Sequence, residues 1–170
     1  LGIIAIPIGL LMIAGELDIS VGSMVPAGSM TTAIIAGHYG LPIWLAIAAV
    51  LLLGIVVGLV NGNLVVRTAV PSFIVTLGTL FAMAGFILGL SVIITGTTSV
   101  AVTAPPLAKA IFGDLYFGKQ FQVIIAWWLA AAAAYVFFVH YTKYGNWIFA
   151  MGGDKESARN AGIPTRRLTI

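Results

Sequence analysis

The chain has 170 residues, of which 61% are hydrophobic and 8% are charged, and Lys and Arg outnumber Asp and Glu by eight to five. A typical soluble domain carries about 25% charged residues, which keep its surface hydrated, so this composition excludes an ordinary water-soluble fold. The sequence has no cysteine, which excludes disulfides, thiolate metal sites and cysteine nucleophiles within these residues.

The charged residues lie at the ends of three long uncharged stretches, residues 19–66, 68–108 and 120–142. About 20 apolar residues cross a bilayer as a helix. Strands of a membrane barrel would instead alternate polar and apolar residues, and these stretches are apolar on all sides. The sequence therefore predicts an all-α fold, a multi-spanning bundle of transmembrane helices in the lipid bilayer.

We predict five membrane spans, near residues 1–14, 21–36, 43–66, 73–94 and 121–141. The chain is already apolar at Leu1 and stops at Ile170 soon after a basic cluster, so we expect a fragment of a longer protein. The second span holds Pro26 between Gly22 and Gly28. Because proline removes a backbone hydrogen bond and clashes with the preceding turn, this span is expected to be kinked or partly unwound.

Two carboxylates, Glu16 and Asp18, lie between the first two predicted spans. A carboxylate at membrane depth is costly and usually marks a pathway or a paired group, although a turn that reaches the headgroup region would hold it at little cost. Positions i and i+2 share one side of an extended chain, so an unwound segment would direct both carboxylates into one cavity. The candidate translocation residues are Gly15, Glu16, Asp18, Ser20, Gly22 and Ser23.

The third span carries small residues at four-residue spacing, Gly54, Gly58 and Gly62. Such a repeat lets two helix backbones approach closely, so we predict a helix-packing seam at these three residues. The alternative is that glycine is simply frequent in membrane helices. A second repeat follows in the fourth span, at Gly78, Ala82, Gly85 and Gly89.

The positions of the basic residues predict the membrane topology. If the helices alternate in direction, six Lys and Arg residues share one side and two lie opposite. The six are Arg67, Lys143, Lys155, Arg159, Arg166 and Arg167, and the two are Lys109 and Lys119. Basic residues are retained on the cytoplasmic side, so we expect residues 143–167 to be cytoplasmic. Residues 96–119 are expected to form a periplasmic loop with a short helix.

The basic segment predicts a short helix with a signal at each end. Asp154 is a suitable N-cap, Glu156 lies favourably near the positive end of the helix dipole, and Gly162 suits the left-handed position past the last turn. A helix of about two turns is too short to be stable alone, so something must hold it. Ala158 and Ala161 form a smooth face, and Lys155 and Arg159 form a basic one. We predict a docking element for a cytoplasmic partner; a capped surface loop is the alternative.

Other kinds of site find no support in the sequence. The run Gly152-Gly153-Asp154-Lys155 lacks the Gly-Lys-Ser/Thr ending of a phosphate-binding loop. His38 and His140 are isolated, and no spacing of histidine with carboxylates is typical of a metal site. We therefore predict no catalytic residue, no metal and no cofactor.

Several stretches together resemble ribose-type sugar ABC importer permeases. Residues 15–23 are similar to that family's Gly-Gly-Ile-Asp-Leu-Ser-Val-Gly-Ser signature. Further similar stretches follow in the same order, at residues 61–66, 71–79, 144–145, 150–153 and 158–163. The chain departs from the family pattern at Glu16, Asn146, Asp154 and Ser157, where glycine, arginine, asparagine and alanine are frequent.

The resemblance implies about the N-terminal half of a single permease domain in the bacterial inner membrane. It implies that a second permease copy, two cytoplasmic ABC ATPases and a periplasmic substrate-binding protein complete the importer, which moves a monosaccharide or a related small polar solute. ATP hydrolysis then belongs to the partner subunit, and no nucleic acid is involved. The short cytoplasmic helix becomes the coupling helix, with ATPase-coupling residues Gly152, Gly153, Asp154, Glu156, Ala158, Arg159, Ala161 and Gly162.

Three alternatives stay open at this point. An ion-coupled secondary transporter would use Glu16 or Asp18 as a proton or cation site. A permease of the related branched-chain amino acid or nucleoside type would share the architecture but carry another solute. A non-transporting membrane scaffold would use the short cytoplasmic helix as its partner site.

Overall fold

The computed structural model describes residues 2–68, 70–116 and 121–169. Nine α-helices are described in this part of the chain: α1 (Gly2–Ile13), α2 (Val21–Thr32), α3 (Ile43–Thr68), α4 (Ser72–Thr95), α5 (Pro106–Phe112), α6 (Val123–Tyr141), α7 (Lys143–Gly153), α8 (Lys155–Asn160) and α9 (Thr165–Thr169). The predicted all-α fold class is confirmed. Leu1, Ile170 and Lys119, which entered the sequence predictions, lie outside the described residues.

A short hairpin joins the loop after α5 to α6. Its two-residue strands, β1 (Leu115–Tyr116) and β2 (Phe121–Gln122), pair antiparallel with Leu115 opposite Gln122. The region predicted as a loop with a short helix, residues 96–119, thus holds α5 and β1, and β2 occupies the first two residues of the span predicted at 121–141. The sixth helix begins at Val123, two residues later than the span predicted from the sequence.

Three of the described helices are long and apolar enough to cross a membrane, namely α3, α4 and α6, with 26, 24 and 19 residues. At 1.5 Å per residue the shortest of them extends over about 29 Å, close to the thickness of a bilayer's hydrocarbon core of about 30 Å. Large apolar side chains on their surfaces are exposed, among them Leu51, Leu52 and Ile55 on α3. This is the surface that helices need when lipid rather than water surrounds them.

The chain separates into two compact units, and residues Ile19–Ala108 form one of them. In this unit α2 lies against both α3 and α4. A Cβ atom added at Gly28 would lie only 3.1 Å from Cγ1 of Val50, so the missing side chain permits the close approach of α2 to α3. The helix runs through Pro26 without a break and continues as a π-helical segment, Ala33–His38. The irregular part of this span therefore lies beyond Pro26, not at it.

Two of the three residues in the predicted glycine seam of α3, Gly54 and Gly58, have no close neighbour among the described residues of this unit. A Cβ atom added at Gly54 or Gly58 would meet no atom within 4 Å, and the same holds for Gly78, Gly85 and Gly89 on α4. Only Gly62 of the three predicted seam residues is buried, together with Ala46, Val57 and Asn61. Among the described residues of this unit, Gly54 and Gly58 stay open, because a small-residue repeat does not specify which neighbour covers it; the packing seam remains a prediction.

The other unit consists of residues Leu1–Asp18 and Lys109–Ile170. Here α1 lies against α6 and α7, and Gly2 contacts the indole ring of Trp128. The corner between α6 and α7 is held by Thr142, whose hydroxyl donates to the Phe138 carbonyl at 2.6 Å and accepts from the Gly145 N–H at 3.4 Å. The short helices α8 and α9 follow α7 directly.

Candidate functional site

The helix α8 is closed at its N-terminus by Asp154, as the sequence predicted. One carboxylate oxygen accepts from the backbone N–H of Glu156 at 2.8 Å and of Ser157 at 3.2 Å, and the other accepts from the Ser157 hydroxyl at 3.0 Å. The hydrogen bonds of Ser157, the backbone one first, and then that of the Glu156 N–H lower the pKa of the Asp154 carboxyl below its ordinary value of 3.8. The cap is therefore ionised at neutral pH.

The C-terminus of α8 is closed by Gly162, which has a left-handed backbone with φ of +84°. The Gly162 N–H donates to the Arg159 carbonyl at 3.0 Å, and the Ile163 N–H donates to the Ala158 carbonyl at 3.1 Å. This pair of hydrogen bonds is the Schellman motif, which satisfies carbonyl groups that a helix end leaves free. Both predicted ends of the helix are confirmed.

The predicted docking face of α8 is divided between the inside and the outside of the unit. Ala158 is only 4% exposed, whereas Ala161 is exposed. Ala158 therefore holds this very short helix against its own unit and does not offer a surface to another protein. The outward surface of α8 instead presents Glu156 and Arg159, which are both exposed.

The segment after α1 begins with a second Schellman motif. Gly15 has a φ of +79°, its N–H donates to the Met12 carbonyl at 3.1 Å, and the Glu16 N–H donates to the Leu11 carbonyl at 2.9 Å. Gly15 therefore terminates α1, and the chain from Glu16 to Ile19 has no regular secondary structure. Asp18 is half-buried in this segment.

Glu16 forms an ion pair with Lys155, the first residue of α8. The Lys155 Nζ lies 2.5 Å from the Glu16 Oε1, with 48% of the lysine side chain and 13% of the glutamate side chain exposed. Beside this pair, Gly152 approaches the end of α1 so closely that a Cβ atom there would overlap the Ile13 carbonyl oxygen. The sequence predicts Glu16 near a pathway but gives no sign of its partner, which is 139 positions away.

The remaining candidate residues lie in the other unit, where Ser20 and Ser23 are buried. The Asn61 side-chain amide donates to the Ser20 hydroxyl at 3.2 Å, and the Thr79 hydroxyl donates to the Asn61 carbonyl oxygen at 2.5 Å. The Ser23 hydroxyl donates to the Ser20 carbonyl at 2.8 Å. These hydrogen bonds fix the start of α2 to α3 and α4.

Three polar residues of this unit, Asn61, Thr76 and Thr79, are not among the site residues predicted from the sequence. Thr76 is buried and accepts the Ile19 N–H at 3.3 Å, just before α2 begins. The signal that points to them is polarity, because a buried polar side chain in an apolar helix needs a hydrogen-bond partner. Gly22 lies nearby on α2, where a Cβ atom would be 3.4 Å from Cδ1 of Leu80.

Comparison with known proteins decides the family. The whole chain, residues 1–170, matches the family described as branched-chain amino acid transport system / permease component. The chain belongs to this permease family. Family membership and three helices of membrane-spanning length together identify it as part of a multi-pass inner membrane protein.

The relatives of this permease are bacterial transport proteins. It is 31% identical to the inner membrane ABC transporter permease protein YjfF of Escherichia coli strain K12, over 100% of this chain and 50% of that protein. It is 32% identical to the autoinducer 2 import system permease protein LsrD of Escherichia coli O9:H4 strain HS, over 98% of this chain and 50% of LsrD. The predicted resemblance to ABC transport permeases is confirmed.

The chain spans about half the length of these relatives. No solved structure is significantly similar to it. Among the described residues, no group of three His, Cys, Asp or Glu side chains lies close enough together to hold a metal ion.

Proposed function

We propose that this permease chain is part of the membrane subunit of an ABC importer that carries a monosaccharide or a related small polar solute across the inner membrane. The single observation that carries the proposal is α8, a six-residue helix that is capped at both ends and presents exposed Glu156 and Arg159. Such a helix suits a fixed contact with a separate protein. The names of the relatives, ABC transporter permease and import system permease, point to the same class.

In the proposed importer α8 is the coupling helix, and its partner is a cytoplasmic ABC ATPase that supplies the energy. The residues proposed to contact or position that ATPase are Gly152, Gly153, Asp154, Glu156, Arg159, Ala161 and Gly162, with Ala158 anchoring the helix from inside. A periplasmic binding protein delivers the solute, and a second permease copy completes the membrane assembly. Residues 143–167 then face the cytoplasm, as the basic residues predict.

The solute pathway is proposed to pass near residues 15–23, which comprise most of the connection after α1 and the first turn of α2. Irregular backbone between two membrane helices is tolerated where it lines a cavity or is covered by protein. The ion pair with Lys155 already engages Glu16, so ATP-driven import explains the structure better than an ion-coupled mechanism at that carboxylate.

Uptake of labelled solutes into proteoliposomes tests this function. The full-length permease is reconstituted with its neighbouring-gene ATPase and binding protein, ATP is enclosed, and labelled ribose, galactose, leucine and a nucleoside are each added outside. We expect uptake of a monosaccharide that persists when an ionophore abolishes the ion gradients and stops when ATP is replaced by a non-hydrolysable analogue.

The same assay separates the alternatives. Uptake that needs the gradient and ignores ATP would contradict the proposal in favour of an ion-coupled transporter. Uptake of leucine or the nucleoside without any sugar would keep the ABC mechanism but contradict the proposed solute class. Liposomes with the ATPase alone, without the permease, serve as the control.

A further inference from the structure

The end of α1 and the segment after it meet the junction of α7 and α8 at three points inside one unit. We call this the α1–α8 contact and define it by Ile13, Gly15, Glu16, Gly152 and Lys155. We propose that the contact transmits movement of α8 to the membrane helix α1, with Glu16 as the positioning residue. This inference rests on the proposed function, since it names the contact through which movement of α8, driven by the ATPase, would reach α1.

Two features of the contact are backbone contacts and hold the elements at a fixed distance. Gly152, near the end of α7, lies against the carbonyl of Ile13, the last residue of α1. A Cβ atom added at Gly15 would lie 3.9 Å from the Gly152 Cα, so the terminating turn of α1 is also within van der Waals range. A displacement of the α7–α8 junction would therefore push directly on the end of α1.

The third feature, the ion pair, is directional. The three charged residues of α8, Lys155, Glu156 and Arg159, are all exposed, and Lys155 reaches back to Glu16. Since Asp154 is engaged in capping, Lys155 is the α8 side chain that links this helix to the segment after α1. The helix thus links to the segment after α1 through Lys155 and leaves Glu156 and Arg159 exposed.

The two partners of the pair contribute unequally. The Glu16 side chain is 13% exposed and the Lys155 side chain 48% exposed. Removal of the lysine leaves a mostly buried carboxylate without its cation, whereas removal of the carboxylate leaves a lysine that water can still solvate. Lys155→Gln should therefore lower the stability of the folded protein more than Glu16→Gln does.

Charge exchange tests the role of the pair. The full-length permease carrying Glu16→Lys, Lys155→Glu or both is purified with its ATPase, and the amount of bound ATPase and its ATP hydrolysis are measured. We expect each single reversal to lower ATP hydrolysis per bound ATPase about fivefold, the order of effect that coupled contacting residues show, and the double exchange to restore it to within about twofold. The amount of bound ATPase should not change, because the outward surface of α8 is untouched.

Lys109→Glu is the matched control, an exposed charge reversal in α5 that leaves the contact intact. If a reversal variant does not fold, Glu16→Gln is measured instead, with an expected reduction of about threefold. A merely structural pair would alter the melting temperature and the bound ATPase together, without a change in hydrolysis per ATPase.

Two results would overturn the inference alone: hydrolysis per bound ATPase that stays within about twofold of the wild type in both single reversals, or an equal loss in Lys109→Glu. Failure of the wild-type permease to bind any ATPase would instead overturn the proposed function, and the inference with it.

Discussion

Gly15 and Gly162 end α1 and α8 with the same two hydrogen bonds, one three residues back and one five residues back. Both have a left-handed backbone, with φ of +79° and +84°. A residue with a Cβ atom in that conformation costs roughly 1–2 kcal/mol, so glycine is the residue that these two positions favour. The role of Gly15 is thereby explained without any contact to a solute.

Asp154 gives a prediction at the scale of a single side chain. Its pKa is lowered in the folded protein, so the cap contributes stability above the ordinary value of 3.8 and loses it as the pH falls through the folded value. We expect the amide protection of residues 155–160 to fall on acidification below pH 3.8. Hydrogen exchange of the full chain, corrected for intrinsic rates, measures this.

Two variants separate capping from charge. Asparagine also caps helices but does not titrate, so Asp154→Asn should keep the protection of α8 at neutral pH and lose the acid sensitivity. Asp154→Ala should reduce the protection at every pH. The same acid response in the wild type and in Asp154→Asn would show that another group causes it.

At the scale of elements, the position of α8 depends on what Gly152 permits. This residue lies against the Ile13 carbonyl, whereas a Cβ atom added at its neighbour Gly153 would meet no atom within 4 Å. Two adjacent glycines in α7 therefore have different reasons to be glycine. Gly152 allows the backbones of α7 and α1 to touch. Gly153 has no such contact, so its only local effect is to lower the helix propensity of α7.

Alanine substitution distinguishes these two reasons. Gly152→Ala should destabilise the protein by about 1–3 kcal/mol, because a backbone carbonyl cannot move aside as a side chain can. Gly153→Ala should be neutral or stabilising by up to about 1 kcal/mol, because alanine favours the helix. Thermal unfolding of the full chain in detergent compares them, and equal melting temperatures would contradict the close approach of α7 to α1.

The sequence predicts where some elements end, but it does not predict which elements contact each other. The ends of α8 are predictable because Asp154 and Gly162 act on groups within five positions. The pairing of Glu16 with Lys155 is not, because no local pattern connects residues 139 positions apart. The neighbour of Gly54 and Gly58 is unpredictable for a related reason: their spacing predicts a close contact without naming the partner, and no described residue of their unit lies against them.

At the scale of the whole molecule, the long helices α3, α4 and α6 determine what surrounds the chain. Their exposed apolar side chains suit lipid or further membrane helices, and the relatives are about twice as long as this chain. In lipid, helices associate through packing and hydrogen bonds rather than through the hydrophobic effect. The buried hydrogen bonds of Asn61 with Ser20 and Thr79 are of this kind.

The sidedness of these helices is the last prediction. The six-to-two distribution of basic residues predicts that α8 and the end of α3 face the cytoplasm and that the loop before α5 faces the periplasm. These 170 residues contain no cysteine, and any cysteine elsewhere in the full-length protein is replaced by serine. A single cysteine is then introduced at one exposed position at a time, as Ser99→Cys, Thr68→Cys or Asn160→Cys, to report the side of the membrane on which that position lies. A membrane-impermeant maleimide should label Ser99→Cys in intact spheroplasts, and the other two only after permeabilisation. Labelling of Asn160→Cys from outside would contradict the topology and remove α8 from reach of any cytoplasmic ATPase.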